Sequence, residues 1–590
     1  MSSYRELSTL IICFWNALEA GWKRRLWRLY LLMIFASLAE VISLGALFPF
    51  LSILILPTHS SRLMERLPAF LDHLTPSVVG NYLGILFCFA ILAATMGRLL
   101  LLRYSTYISF ELGTSLSKKY FSNVLSREFS WHLQHSSDEL ISAASLKCYN
   151  VALQIVLPAI QLLSALILLA SVAALLLTLH AMPTVVCAAI FTSIYFLTAT
   201  LNSKKLRVNS SYIARMSNEI FKILQEGIGG IREVIIGNTK NYFVREFSKK
   251  DGKLKLAQAS STYIGLSPRF VIEGASMFFI VIFALYINKS DGGLQAALPM
   301  IGLFVVSAQR VLPLLQQVYV SWTQMETGRE SLRDILLVLS SDSSDRSDVD
   351  AKGIRFNHLI SVKGVTYSYP GSNVLVLSNL NLELKKGEKI GVVGKTGAGK
   401  STFADIIMGL VSPVDGELVI DGVAVTRENL TSWWSNVSHV PQSIYLADSS
   451  IAQNVAFGIE KSEIDLDRLG ECIKKSQLGD FIDGLPDGIW TEVGERGVRL
   501  SGGEIQRIGI ARALYKRPAV FVFDEATSSL DTSTETEIMR AIYALDRDLT
   551  VIIIAHRMST LKGCDRILEF KNNGSMVEHN GRDFFEKVNL

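Results

Sequence analysis

The chain has 590 residues, 49% of them hydrophobic and only 19% charged, with a mean hydropathy of +0.32. That balance excludes an ordinary soluble protein of this length and requires long apolar segments that a membrane can solvate. A formal net charge of +4 gives no reason to invoke a nucleic-acid partner, since the basic residues fall beside apolar segments.

Near the start, Leu7, Leu10, Ile11, Phe14, Trp15 and Leu18 form one apolar face and predict a helix lying in the membrane interface, not a cleavable signal. Six apolar stretches follow, roughly 26–56, 80–110, 151–180, 182–201, 269–288 and 297–320. Each is long enough to cross a bilayer core, which takes about 20 residues. Leu179–Met182 leaves room only for a tight external turn between the third and fourth, and Pro183 marks the same turn. Lys23, Arg24, Arg25 and Arg28 precede the first span, and Lys204, Lys205, Arg207 and Arg215 follow the fourth. Basic flanks stay in the cytoplasm, so the N-terminus and everything after the sixth span are predicted inside.

Between the first two spans, Leu63, Met64, Leu67, Phe70, Leu71 and Leu74 recur at helical spacing. They read either as a cap on the bundle or as a short helix in the outer headgroup layer. The cytoplasmic stretches 111–147 and 202–268 are predicted as loops, with Ser126–His135 and Gly227–Ile236 as the segments that meet the second half of the chain. The six cysteines, Cys13, Cys88, Cys148, Cys187, Cys472 and Cys564, show neither metal-ligand spacing nor a disulfide framework.

Charges within spans are costly and usually face a cavity or a partner. Arg98 and Arg103 lie in the second span, Arg269 opens the fifth and Arg310 lies in the sixth, all in the cytoplasmic half. Arg103 and Arg269 also suit side chains that snorkel to the interface. Arg310 is the deepest, with Glu40 and Glu273 as possible partners. Guanidiniums at one depth suit a polyanion such as a pyrophosphate, which makes Arg98, Arg269 and Arg310 candidate substrate contacts.

Ser340–Gly353 is rich in Ser and Asp and reads as a linker, separating a membrane domain at 1–339 from a second domain at 354–590. There Gly394-Lys395-Thr396-Gly397-Ala398-Gly399-Lys400-Ser401 forms a complete phosphate-binding loop, with Thr402 next in the chain. Its glycines let successive N–H groups face phosphate oxygens, Lys400 reaches the β- and γ-phosphates, and Ser401 is placed to ligate Mg²⁺. The apolar run Ala519–Phe523 suits a buried parallel strand and delivers Asp524 for Mg²⁺ and Glu525 to orient and deprotonate a water. A second such strand, Val551–Ala555, delivers His556 to the same edge. The expected fold is therefore a six-span α-helical domain fused to an α/β phosphate-loop ATPase.

With Leu500-Ser501-Gly502-Gly503-Glu504 added, residues 354–590 resemble the nucleotide-binding domain of an ABC transporter. The resemblance implies that Ser501, Gly502 and Gly503 contact the γ-phosphate of ATP held by the opposite copy. It further implies that Gln442 is the Q-loop residue and a metal contact, that Asp531 belongs to the D-loop, that Tyr369 stacks on adenine, and that His556 is the switch histidine. ATP and Mg²⁺ follow as cofactors. Since no position is degenerate, two identical copies would make two working sites, so a homodimer is expected.

Six spans before one ATPase resemble an ABC exporter half-transporter, and Thr491–Gly497 is similar to the loop that couples ATPase to membrane helices in exporters. The external apolar face, the span arginines and the stretch from Gly229 to Phe243 resemble bacterial flippases for lipid-linked oligosaccharides. The implied function is ATP-driven movement of a polyprenyl-pyrophosphate glycan from the inner to the outer leaflet of the bacterial cytoplasmic membrane. The alternative is a multidrug, lipid or glycolipid exporter, whose cavity would be aromatic and weakly charged. A regulatory or channel-like role does not require both Glu525 and His556.

Overall fold

The computed structural model describes residues 7–55, 76–179, 181–287, 293–340, 353–372, 374–524, 532–544, 548–555 and 557–588; the side chains of 47–80 and 283–310 are not described. The expected outer helix at 63–74 and most of the linker lie outside these residues. The chain divides into two compact units, Met1–Arg127 with His135–Ser343, and Glu128–Gln134 with Ser344–Leu590.

In the first unit a short helix α1 (Leu7–Ala17) precedes α2 (Ala20–Ile55) and α3 (Pro76–Leu125). After α4 (Phe129–His132), which belongs to the second unit, come α5 (137–179), α6 (Ala181–Gly229), α7 (Ile231–Ile236), α8 (Lys240–Ile287) and α9 (Gly293–Ser340). Over the described residues, each of the six apolar stretches falls within one long helix. Among the described residues, Ala20–Ala46, Gly84–Leu125 and Ser137–Thr178 are long and apolar enough to cross a membrane. The chain is a transmembrane protein.

The helices outrun the apolar stretches. α3 has 50 residues, α6 has 49, and α8 and α9 have 48 each. At about 1.5 Å per residue that is more than twice a hydrocarbon core of about 30 Å. The polar stretches expected as loops at 111–147 and 202–268 are therefore largely helical extensions. Their charges pair on the helix surface, Arg215 with Glu219 at 3.2 Å and Lys222 with Glu226 at 3.8 Å, and Lys250 reaches Glu219 at 2.8 Å. Such i,i+4 pairs sustain a helix that lacks an apolar majority.

α5 contains two π-helical turns, Ala143–Lys147 and Ala152–Val156. At the second of them the chain is packed closely against α9: a Cβ on Gly328 would lie 2.8 Å from the Gln154 side chain. Lys147, only 2% exposed, ends in an ion pair with Asp334 at 2.7 Å.

An ion pair between a buried carboxylate and a partly exposed guanidinium joins the first two spans. Glu40 is 1% exposed, and the Arg98 guanidinium donates from Nε to its Oε2 at 2.8 Å. Removing one member of such a pair strands a charge, whereas removing both is far better tolerated. Arg98→Gln is therefore expected to lower the thermal midpoint of the purified protein, and adding Glu40→Gln to recover most of it. Equal or additive losses in the double variant would contradict this pairing.

The second unit holds two sheets. A four-stranded antiparallel sheet runs in the order β2 (Leu377–Lys385), β1 (Leu359–Tyr367), β4 (Asp415–Ile420), β5 (Val423–Ala424). A six-stranded sheet runs β10 (Met576–Asn580), β9 (Arg566–Phe570), β3 (Lys389–Gly394), β8 (Thr550–Ile554), β7 (Val520–Asp524), β6 (Val437–Val440). All neighbours from β9 to β6 are parallel. Phe521, Val522, Val551, Ile552 and Ile553 are wholly buried, as continuous apolar strands covered on both faces must be.

Candidate functional site

The parallel sheet gathers the motifs at one edge. Gly394 ends β3, Asp524 ends β7, Gln442 lies two residues beyond β6, and position 556 lies two residues beyond β8. In an open α/β sheet this carboxyl edge is where ligands bind.

The loop from Gly394 to Lys400 turns directly into α10 (Lys400–Ile407). Gly399 has φ +95°, and a Cβ there would lie 3.0 Å from the Val376 carbonyl oxygen and 2.9 Å from Leu377. Only glycine accepts that conformation in that space. Ala398 and Lys400 are buried while Lys395, Thr396 and Gly397 are exposed, so the loop crest is open to a ligand. Lys400 folds back, its Nζ donating to the Gly394 and Lys395 carbonyl oxygens at 2.9 and 3.2 Å. Tyr369 is half-exposed, and its hydroxyl is 3.0 Å from Thr402 Oγ1. That contact ties an aromatic face to the first turn of α10.

A nucleotide triphosphate fits this cradle: loop amides and the α10 N-terminus supply positive potential, and Lys400 supplies a cation. The carboxylates fit a divalent ion. Asp405 lies four residues after Ser401, on the same side of α10, and burial, then the nearby Asp524 carboxylate, push its pKa up to about 6. Two carboxylates held together in a half-buried site are the donor set that Mg²⁺ favours. Asp405 was not singled out from the sequence; the signal was an acid at i+4 from the loop serine.

The raised pKa has a checkable consequence. A carboxyl group that holds its proton more tightly when folded adds stability below its unfolded pKa, about 3.9, and loses it as pH rises through about 6. Asp405→Asn should therefore gain in thermal midpoint relative to the parent at pH 7.5, in nucleotide-free protein, and lose that gain progressively as pH falls below about 6 toward about 4. A pH-independent difference between the two would contradict this account.

Ser501 caps α15 (Gly502–Tyr515), after α11 (Leu430–Trp434), α12 (Ile451–Val455), α13 (Leu466–Lys475) and α14 (Gly479–Asp483). Its backbone N–H donates to Glu504 Oε2 at 2.7 Å, and Ser501 Oγ accepts from the Glu504 N–H at 3.4 Å. This reciprocal box fixes the first turn while Ser501 and Gly502 stay exposed. Farther along α15, Arg512 donates to the Asn454 carbonyl from Nε and to the Tyr445 carbonyl from one terminal nitrogen, each at 2.7 Å. Those bonds lock α15 to the segment that follows Gln442. The sequence carried no signal for this clamp, because its partners lie 58 and 67 residues away.

Glu525, Asp531 and His556 lie outside the described residues. Their neighbours are fixed: Glu535 of α16 (Thr532–Tyr543) accepts from Arg557 and from Thr560 Oγ1, both at 2.6 Å. One buried carboxylate thus ties the chain after position 531 to the chain after position 556. The segment Glu128–Gln134, within the expected Ser126–His135 contact, clusters with this unit, and Glu128 pairs with Arg427.

In the membrane unit, the three arginines singled out from the sequence part ways. Arg98 meets Glu40 at the wall of a cavity of about 330 Å³ that Ser37, Gln161, Ser164 and Gln317 also line. Arg269 bonds Glu273 one turn on, at 2.6 Å, and is half-exposed. The Arg310 side chain lies outside the described set. Glu40 thus bonds Arg98 and Glu273 bonds Arg269; the expected pairing of either with Arg310 lies outside the described residues.

Comparison with known proteins completes the picture. The ABC transporter family model matches residues 377–528, and the ABC transporter transmembrane region model matches 42–288. The ATP-dependent lipid A-core flippase of Pseudoalteromonas translucida is 30% identical over 512 residues, covering 83% of this chain and 84% of that protein. The protein of the same description from Escherichia coli K12 is 28% identical over 391 residues, covering 64% and 66%. A bacterial Atm1-family ABC exporter solved with ATP bound superposes with a TM-score of 0.79 at 21% identity, over 96% of this chain and 98% of that one.

Proposed function

This chain belongs to the ABC transporters as an ATP-hydrolysing exporter half-transporter, and from that premise we propose that it flips a lipid-linked oligosaccharide. The cargo is a polyprenyl-pyrophosphate glycan moved from the inner to the outer leaflet of the bacterial cytoplasmic membrane. The observation that carries this reading is a polar cluster in the wall of an otherwise apolar cavity, where buried Glu40 holds Arg98 beside Gln161, Ser164 and Gln317. Such groups inside a membrane domain are expensive and accompany polar cargo. The lipid A-core flippases similar to this chain support a glycolipid over a drug.

We assign residues 1–339 to the membrane domain, 340–353 to the linker and 354–590 to the ATPase, working as a homodimer. ATP would lie between the phosphate loop of one copy and Ser501–Gly503 of the other, with Tyr369 against adenine. Ser401, Gln442 and Asp524 would hold Mg²⁺, which neutralises phosphate charge. Glu525 would take the proton of the attacking water, and His556 would steady the γ-phosphate. Arg269 and Arg310, with Arg98, would face the anionic head while the tail stays in lipid, sparing the glycan a passage through hydrocarbon.

The test is ATPase activity in nanodiscs titrated with three lipids sharing one glycan: pyrophosphate-linked, monophosphate-linked and uncharged. Strongest stimulation by the pyrophosphate lipid, lost in Arg310→Ala with basal activity kept, is expected. Equal stimulation by the uncharged lipid would sink the reading.

A further inference from the structure

A second cavity of the membrane unit, about 680 Å³, opens between α2 and α3 and shares no lining residue with the one around Glu40 and Arg98. Its wall carries Arg25, Arg28 and Arg103 against a single acid, Glu111. Arg25 is occupied: it bonds Glu111 at 2.8 Å and lies 5.0 Å from the Trp22 ring centroid. Arg28 and Arg103 meet no carboxylate among the described residues, and both are exposed. Arg103 rests on the Tyr107 ring at 5.9 Å, which holds the guanidinium without neutralising it. Two uncompensated positive charges therefore face one groove.

Its depth follows from its neighbours. Tyr104 and Tyr107 in the wall, and Trp27 on the same turn of α2 as Arg28, are 54%, 64% and 60% exposed. Exposed Trp and Tyr of membrane helices mark the headgroup level, and the basic flank marks the cytoplasmic side. Toward the hydrocarbon the wall turns apolar at Leu32 and Leu100, continued by the exposed Leu31, Phe35 and Leu99. A charged floor at headgroup level below an apolar wall is complementary to one kind of occupant.

We propose that this groove binds a membrane phospholipid of the cytoplasmic leaflet whose headgroup carries two phosphates, a diphosphatidylglycerol. Two unpaired guanidiniums on facing helices match two phosphates, and basic pockets between membrane helices on this side recognise such headgroups. The site is independent of the transported cargo and does not rest on the reading of the interior cavity.

Native mass spectrometry of the full chain, released from micelles with diphosphatidylglycerol, phosphatidylglycerol or phosphatidylethanolamine, tests it. One diphosphatidylglycerol per chain should be retained in preference to the other two. Arg28→Gln with Arg103→Gln should weaken that retention roughly 10- to 30-fold, at about 1 kcal/mol per basic residue. Lys204→Gln with Lys205→Gln, an equal charge change at exposed lysines of α6, should leave it intact. On the unaltered protein, photoactivatable diphosphatidylglycerol should label α2 and α3 beside Arg28 and Arg103. Equal loss in both double variants would reduce the effect to general surface charge. Labelling elsewhere, or no lipid preference, as when a second copy of the chain fills the groove, would overturn the proposal.

Discussion

Glu525→Gln is expected to cut ATP turnover roughly 10²- to 10⁴-fold, the usual contribution of a positioned general base, while ATP binding stays near that of the parent. The residue follows Asp524 at the end of β7, on the sheet edge that also carries the phosphate loop. Glutamine keeps the size and hydrogen-bonding reach of the side chain but cannot accept the proton of an attacking water. Phosphate release and nucleotide binding, measured on the same preparation, separate the two effects. Turnover within a few-fold of the parent would remove Glu525 from the chemistry and leave the base unassigned.

Trp433→Ala should cost about 3–5 kcal/mol in the ATPase unit, the range for emptying a large buried aromatic site. Trp433 is 0% exposed, and its indole N–H donates to the Ile407 carbonyl at 2.9 Å. That carbonyl closes α10, the helix that opens on Lys400, so the loss reaches from the core to the phosphate loop. Phe356 meets the ring edge-on at 6.3 Å and Trp434 cannot substitute, since its own indole already bonds the Met408 carbonyl at 3.0 Å. A fall in thermal midpoint of roughly 10 °C is expected for a unit of this size. A fall of only a degree or two would mean that the surrounding core closes over the gap.

The ATP site was legible because its chemistry is local. A phosphate loop needs glycines at fixed spacing, and the strands that end at Asp524 and before His556 are short, continuous apolar runs that admit few other readings. The lengths of the membrane helices were not legible in the same way. Apolar runs report only what lies in hydrocarbon, so the charged halves of α3, α6 and α8 read as loops, although in α6 the i,i+4 pairs Arg215–Glu219 and Lys222–Glu226 support the helix. Pairings across helices were also hidden. The bond between Glu40 and Arg98 is one such pairing, because it depends on how α2 and α3 align and not on spacing along either. Asp405, Arg512 and Glu535 escaped notice for a related reason: each acts through partners that folding alone brings near.

The most direct test is movement of lipid. Proteoliposomes containing the full chain would receive a fluorescent polyprenyl-pyrophosphate oligosaccharide in the leaflet facing the ATPase, and its arrival in the opposite leaflet would be followed with and without ATP. The account predicts transfer that requires ATP and is absent in Glu525→Gln. Transfer independent of ATP, or none from a preparation that hydrolyses ATP when supplied with this lipid, would contradict it.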